Sequence, residues 1–263
     1  MTVNQTAFDP HATARAIADA HAARTPYANL TGALAPPTID DGYAAQEALA
    51  EIWRAEKGDV AGLKIATTTK VMQELMGIDH PCGGMIYADT IHPSGVAIRL
   101  ADFMHVVVEC ELAVRIDRDL PDTGALYTAE TVRDAVGTVA AAFELIEDRG
   151  AVYRESDAKT ILADNAWNGG IVLGKEVALP KERNLDGQRG SALIDGNPKG
   201  DGLTDNPMGA LAWVANLAVS RGRPMTKGMI VITGSVIPTF AVEAGTEVVF
   251  EIDNIGRVSA TFA

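Results

Sequence analysis

The strongest constraint on what this chain can fold into is Val106-Val107-Val108-Glu109-Cys110-Glu111-Leu112-Ala113-Val114. The stretch is apolar and rich in β-branched residues, which reads as a buried strand. Side chains alternate faces along a strand, so Glu109 and Glu111 share one face and Cys110 takes the other. Two neighbouring carboxylates in an apolar strand repel each other and lose water. That costs several kcal/mol unless something positive lies between them. A hard divalent cation, Mg²⁺ or Mn²⁺, answers the problem because it prefers carboxylate oxygens. An edge strand with one solvated face is the alternative.

The rest of the chain is long enough to bury such a strand. Its 263 residues are 47% hydrophobic, enough for one large domain or two closely packed ones. The formal net charge of −13 argues against a nucleic-acid or anionic-membrane partner, but not against a small anionic substrate. Cys82 and Cys110 have no metal or redox spacing, which fits a reducing cytoplasm. The opening Met-Thr-Val-Asn-Gln-Thr lacks a signal-peptide pattern, and no apolar run approaches the roughly 20 residues of a membrane span.

Residues 9–24 read as an Ala-rich helix with Asp9 as N-cap and Pro10 at its first position. A second helix is expected over 40–57, with Ala45, Leu49, Ile52 and Trp53 as its stripe and Gly58 closing it. From residue 59 strands take over. Val60 to Ala66 is a strand, Lys70 to Met76 a short helix, and Gly83-Gly84 a turn. The spacing of Val132, Ala135, Val136, Val139 and Ala140 predicts a helix that feeds a strand over 142–146. Residues 184–206 suggest a long loop or hairpin tip, and Asn206 a cap for a helix ending at Gly222. Strands over 229–233, 246–252 and 258–262 close the chain. Strands and helices do not alternate regularly, which argues for an α+β fold with a mixed or antiparallel β core. The expected division is a helical region, 1–58, and a β-rich metal-binding catalytic region, 59–263, in one compact unit.

Four further features carry chemistry. Glu144 sits in the apolar run Phe143-Glu144-Leu145-Ile146; it is either part of a charged strand end or a third ligand beside Glu109 and Glu111. Three carboxylates with open positions suit an octahedral ion that must also hold substrate and water. Lys64, in Gly62-Leu63-Lys64-Ile65, is either an exposed strand position or an inward ammonium able to pair with a substrate carboxylate or move a proton. Asp164, Asn165 and Asn168 either finish a helix and turn or fix substrate and water. Ser235, in Thr233-Gly234-Ser235, ends the expected strand where hydroxyls and amides often meet ligand. The five histidines lack zinc spacing, and no nucleotide-binding glycine motif or nucleophile elbow occurs.

These motifs fall into a known order. Gly62-Leu63-Lys64-Ile65, Met72-Gln73-Glu74-Leu75-Met76-Gly77-Ile78, Glu109-Cys110-Glu111, Glu144 to Arg149, Ala163-Asp164-Asn165 and Ile232-Thr233-Gly234-Ser235 resemble the 2-keto-4-pentenoate hydratase / 4-oxalocrotonate decarboxylase family, within the fumarylacetoacetate hydrolase superfamily. The resemblance spans roughly residues 40–263. It implies a fumarylacetoacetate-hydrolase-like mixed β core with N-terminal helices, a Mg²⁺ or Mn²⁺ site, a homo-oligomer, and a role in breaking down aromatic ring-cleavage products. Glu109, Glu111 and Glu144 match the family's metal ligands, and Lys64 its active-site lysine.

Two positions depart from the pattern. Family hydratases carry Pro-Asp-Phe/Tyr-Gly where this chain has Pro81-Cys82-Gly83-Gly84, and Trp167 stands where many members have a small residue. Cys82 and Trp167 are expected to line or border the pocket, with Asn165, Asn168 and Ser235 also binding substrate. The expected substrate is a small 2-oxo or 2-hydroxy-dienoate acid, with a bulkier or more apolar tail than a plain pentadienoate. The expected activity is a hydratase. Decarboxylation of a 2-oxo-enedioate, C–C hydrolysis of an acylpyruvate and a non-catalytic partnership with an active homologue are the alternatives. The hydrolase reading wants a His–Glu pair that the sequence does not reveal.

Overall fold

The computed structural model describes residues 7–179 and 183–263. The Met1–Thr6 stretch read above for a targeting signal lies outside them. Helix α1 (Pro10–Ala22) is capped by Asp9, whose carboxylate accepts from the His11 and Ala12 amides. Helix α2 (Ile39–Lys57) starts in a capping box between Thr38 and Asp41 and ends at Gly58. Ala45, Leu49 and Trp53 are buried as expected, whereas Ile52 lies 39% exposed. No described helix is long and apolar enough to cross a membrane.

The chain continues through β1 (Val60–Ala66), α3 (Lys70–Met76), β2 (Cys82–Tyr87), β3 (Ile91–Pro93), β4 (Val96–Ile98) and β5 (Val106–Ile116). Next come α4 (Ala129–Arg133), β6 (Val136–Glu147), α5 (Ala158–Ala163), β7 (Asn168–Leu173) and β8 (Val177–Ala178). The last elements are β9 (Arg189–Ile194), β10 (Asn197–Leu203), α6 (Pro207–Ser220), β11 (Ile230–Ala241), β12 (Glu247–Ile252) and β13 (Gly256–Phe262). The larger sheet runs β2-β1-β11-β5-β6-β7-β3, with β8 beside β6; the smaller runs β10-β9-β12-β13-β4. Both are mixed: β1–β11, β3–β7 and β4–β13 are parallel pairs. The architecture is the expected α+β mixed β core with N-terminal helices.

The two faces of β5 meet different surroundings. Val108, Cys110, Leu112 and Val114 pack into the main core with Phe250, Val258 and Phe262 of the smaller sheet. Glu109, Glu111 and Ala113 take the other face, where Ala113 joins Ala142, Ile171 and Ile232. Helices α1 and α2 bury Ala14, Ile17, Leu49 and Trp53 against Met85 and Tyr87 of β2. The helical region is thereby fastened to the sheet edge nearest Lys64.

Two local expectations are corrected, and of the long loop or hairpin tip expected over 184–206 the hairpin is what forms. The Val132–Ala140 segment is not one helix: α4 stops at Arg133 and β6 begins at Val136. Its apolar spacing satisfies a helix, but β6 pairs with β5 from Val136 to Glu147, and that long ladder wins. Residues 184–206 hold the β9–β10 hairpin, whose turn at Asp195-Gly196 has left-handed φ values of 50° and 76°. Gly83-Gly84 forms no turn but lies within buried β2.

Close approach explains that last case. A Cβ on Gly84 would lie 2.8 Å from Lys64 Cγ and 2.9 Å from the Asn165 carbonyl oxygen. Gly84→Ala should therefore push apart β1 and the Asn165 turn, lowering unfolding free energy by about 1–3 kcal/mol. Denaturant unfolding measures this directly, and wild-type stability in the variant would contradict the packing account.

Candidate active site

Strand register builds a carboxylate triangle. The β5–β6 ladder sets Glu109 directly opposite Glu144, and Glu111 opposite Ala142 two residues along the same face. Ligand oxygens of Glu109, Glu111 and Glu144 all lie within 4.8 Å of one another. Glu111 and Glu144 are fully buried, and Glu109 is half-buried. Lys64 reaches the same place from β1, because Lys64 is paired with Ile232, which is in turn paired with Ala113. Its buried Nζ lies 2.8 Å from Glu144 Oε1 and donates to the Ala166 carbonyl at 3.0 Å.

Each carboxylate is also gripped by a neutral donor. Thr239 Oγ1 donates to Glu109 Oε1 at 2.6 Å, and Asn168 Nδ2 to Glu144 Oε1 at 2.7 Å. The Gly234 amide donates to Glu111 Oε2 at 2.8 Å. Gly234 sits at φ 116° where the β11–β5 register shifts, so a bulge turns this amide toward the carboxylate. After these bonds, Glu111 Oε1 and Glu144 Oε2 remain buried with no hydrogen-bond partner.

The charges do not balance. Three carboxylates face one ammonium, so full ionisation leaves two uncompensated negative charges in a desolvated place. Burial pushes Glu111 well above the usual carboxylate range, and the Glu144 and Glu109 charges add to it. Burial raises Glu144 to about 7, with the Lys64 ammonium pulling the other way. Burial alone would lower Lys64, but the charges of Glu144 and Glu109 outweigh it and hold the ammonium above its ordinary value. Two orphaned oxygens, an all-carboxylate donor set and an excess charge of two together fit a hard divalent ion.

Beside the triangle lies a cavity of about 570 Å³. Lys64, Glu109, Thr67, Ser235 and Thr239 contribute its polar wall, and Met72, Met76, Ile146, Tyr153, Ile161 and Trp167 its apolar wall. A second cavity of about 460 Å³ shares Trp167 and is also lined by His21, Lys57, Arg149, Asp164 and Asn168.

The structure brings together Lys64, Glu109, Glu111, Glu144 and Asn168, and it puts Trp167 and Ser235 on the cavity wall. Ser235 already donates to the Ile237 carbonyl. The other two expected substrate contacts, Cys82 and Asn165, are not part of the cavity wall itself. Cys82 borders the cavity from behind, clustered with Tyr43, Leu162 and Leu217 and hydrogen-bonded to Thr67 of the cavity wall. Asn165 spends its amide on β2, accepting from the Met85 amide at 2.7 Å and donating to the Met85 carbonyl at 2.9 Å. The sequence reading missed Thr239, Tyr153 and the Ala166 carbonyl. Thr239 lies beyond the expected end of its strand, which in fact runs on to Ala241 through three register shifts. Nothing in the local sequence marks Tyr153 or the Ala166 carbonyl.

The fumarylacetoacetate (FAA) hydrolase C-terminal family matches residues 55–263. The chain belongs to the fumarylacetoacetate hydrolase family. It is 32% identical over 260 residues to 2-keto-4-pentenoate hydratase 2 of Dechloromonas aromatica (strain RCB), covering 97% of both chains. It is 32% identical over 228 residues to 2-keto-4-pentenoate hydratase of Burkholderia vietnamiensis (strain G4 / LMG 22486), covering 84% of each. Its fold matches 4-oxalocrotonate decarboxylase from Pseudomonas putida G7, complexed with magnesium and adipate, with a TM-score of 0.88 at 23% identity over 97% of both chains.

The raised carboxyls of this family member have a consequence for stability. A carboxyl whose folded pKa exceeds its unfolded value stabilises the fold below the unfolded value and loses that contribution as pH rises through the folded one. Chelator-treated protein should therefore lose unfolding free energy as pH rises from about 4.5 through about 7, the interval between the ordinary and buried values of Glu144. Glu144→Gln should flatten that slope. Chemical unfolding across this range tests it, and a rising slope would contradict the assigned electrostatics.

Proposed function

We propose that this chain is a divalent-metal-dependent hydratase that adds water to a 2-hydroxy-2,4-dienoate, giving a 4-hydroxy-2-oxo acid in aromatic catabolism. The observation that carries the reading is the pair of orphaned buried oxygens, Glu111 Oε1 and Glu144 Oε2, beside Glu109 and Lys64 at the wall of a small-molecule cavity. The hydratase relatives supply the reaction class. Glu109, Glu111 and Glu144 would hold Mg²⁺ or Mn²⁺. A bound divalent ion supplies positive charge that stabilises an enolate.

Lys64 supplies the rest of the polar chemistry. An ammonium has three N–H donors, and Glu144 and the Ala166 carbonyl engage two of them. The third can meet the substrate carboxylate or pass a proton. Neighbouring carboxylates keep Lys64 protonated at neutral pH, so it enters the reaction as a cation and proton donor rather than as a free base. In balance, the dienol loses its C2 hydroxyl proton and gains one at C5, leaving a ketone conjugated to a C3–C4 double bond. Water then adds hydroxyl at C4 and hydrogen at C3. Trp167, Tyr153 and Met76 cover the cavity's apolar side and limit the water that reaches the chain of carbons.

Ultraviolet absorbance with a parallel CO₂ assay tests the reading. Loss of the dienoate band without CO₂, dependent on added Mg²⁺ or Mn²⁺, is the expected result. Release of CO₂ would make the enzyme a decarboxylase, and full turnover after chelation would remove the metal from the mechanism. Glu111→Gln should abolish turnover while the fold persists, because losing one buried charge relieves repulsion. Lys64→Met should cut kcat/KM by about ten- to over a hundredfold, the worth of one charge-assisted contact of about 1.5–3 kcal/mol.

A further inference from the structure

The cavity beside the carboxylates is two-sided in chemistry, and its size exceeds what a five-carbon acid requires. Its volume of about 570 Å³ falls within the roughly 300–1,000 Å³ of sites for drug-sized ligands. The side away from the polar wall is built from one apolar cluster in which Met76, Ile146, Ile161 and Trp167 are buried and Met72 and Tyr153 pack against them. Among the described residues lining this cavity, the only cationic side chain is Lys64. Its ammonium is already committed to Glu144 and the Ala166 carbonyl on the carboxylate side. A substrate with a second carboxylate would therefore place that charge against thioethers, aliphatic carbons and aromatic rings with no cation to pair it, and the neutral indole N–H of Trp167, unpaired here, offsets only part of that desolvation cost. An alkyl tail would instead exchange water for that same surface.

Resting on the hydratase reading, we propose that this enzyme selects 2-hydroxy-2,4-dienoates with an extended uncharged alkyl group at C5, and rejects the 5-carboxylate. Met72 and Met76, one helical turn apart on α3, are the specificity-determining side chains, with Ile161 facing them from α5. Unbranched thioethers repack around tails of different length, so the preference is for apolar bulk rather than one shape.

The test separates binding from turnover. Intrinsic tryptophan fluorescence in the presence of Mg²⁺ follows binding of the saturated acids 2-oxopentanoate, 2-oxohexanoate, 2-oxooctanoate and 2-oxoadipate, since Trp167 lines the cavity. Affinity should rise with chain length, by roughly tenfold or more from the first to the third. 2-Oxoadipate should bind roughly a hundredfold more weakly than 2-oxohexanoate, the scale of one unpaired buried charge. Met72→Arg, at a half-buried position that tolerates a long side chain, should close or reverse the gap between those two. Equal binding of 2-oxoadipate and 2-oxohexanoate by the wild type, or an unchanged ranking in Met72→Arg, would overturn the assignment. Hydration of 2-hydroxypenta-2,4-dienoate is measured alongside. Turnover with a flat binding series would sink the tail preference and leave the hydratase reading standing. The expected ranking without turnover would do the reverse.

Discussion

Everything in this site depends on burying three carboxylates beside one ammonium. The sheet can do so only because each carboxylate has one oxygen held by a fixed donor: Thr239, the Gly234 amide, or Asn168 together with Lys64. These donors fix direction but do not cancel charge. The remaining oxygens of Glu111 and Glu144 are thus aimed and unsatisfied, a costly state for the bare protein and a prepared one for a cation. The same burial that penalises the bare carboxylates strengthens every electrostatic interaction among them.

The arrangement also explains the division of labour between the two sheets. The smaller sheet offers the larger one an apolar surface, so the back of β5 is pure core, with Cys110 serving as a small hydrophobe. That support lets the front of β5 hold charge without the strand swinging toward solvent. Phe143 on β6 and Phe250 on β12, 6.5 Å apart between ring centroids, tie the sheets together directly behind the acidic positions.

The central strand, the Glu109/Glu111 pairing of faces and the position of Glu144 were legible because period-two alternation is local and strong. The first two helices were legible through their caps. The β6 start was not, since apolar residues at 132, 135, 136, 139 and 140 fit a helical stripe until a partner strand decides. Gly83-Gly84 misled for a related reason. A glycine pair usually marks a turn, yet here the missing side chains make room for Lys64 and Leu217, a tertiary demand that no local pattern announces. The motif position of Cys82 points to the pocket, and the thiol does border it, but Thr67, its hydrogen-bond partner, is the residue that lines the wall. Motif position specifies the neighbourhood, and only packing specifies which side chain reaches the cavity.

The turn that carries Ala166 links these observations. Asn165, Ala166 and Trp167 all have left-handed φ, at 52°, 46° and 59°, which is unfavourable for three consecutive side-chain-bearing residues. The turn persists because its surroundings over-determine it. Asn165 clamps both polar groups of Met85 in the neighbouring strand, and Asp164 is held by Arg149 and by His21 of the N-terminal helix, each at 2.6 Å. The result is a carbonyl pointed at Lys64 and an indole set into the cavity wall between Tyr27 and Tyr153. The N-terminal helices, which bear no carboxylate of the triangle, therefore act on the site through this strained turn. They hold the Ala166 carbonyl where the lysine's orientation needs it, and they set how much apolar wall the substrate meets.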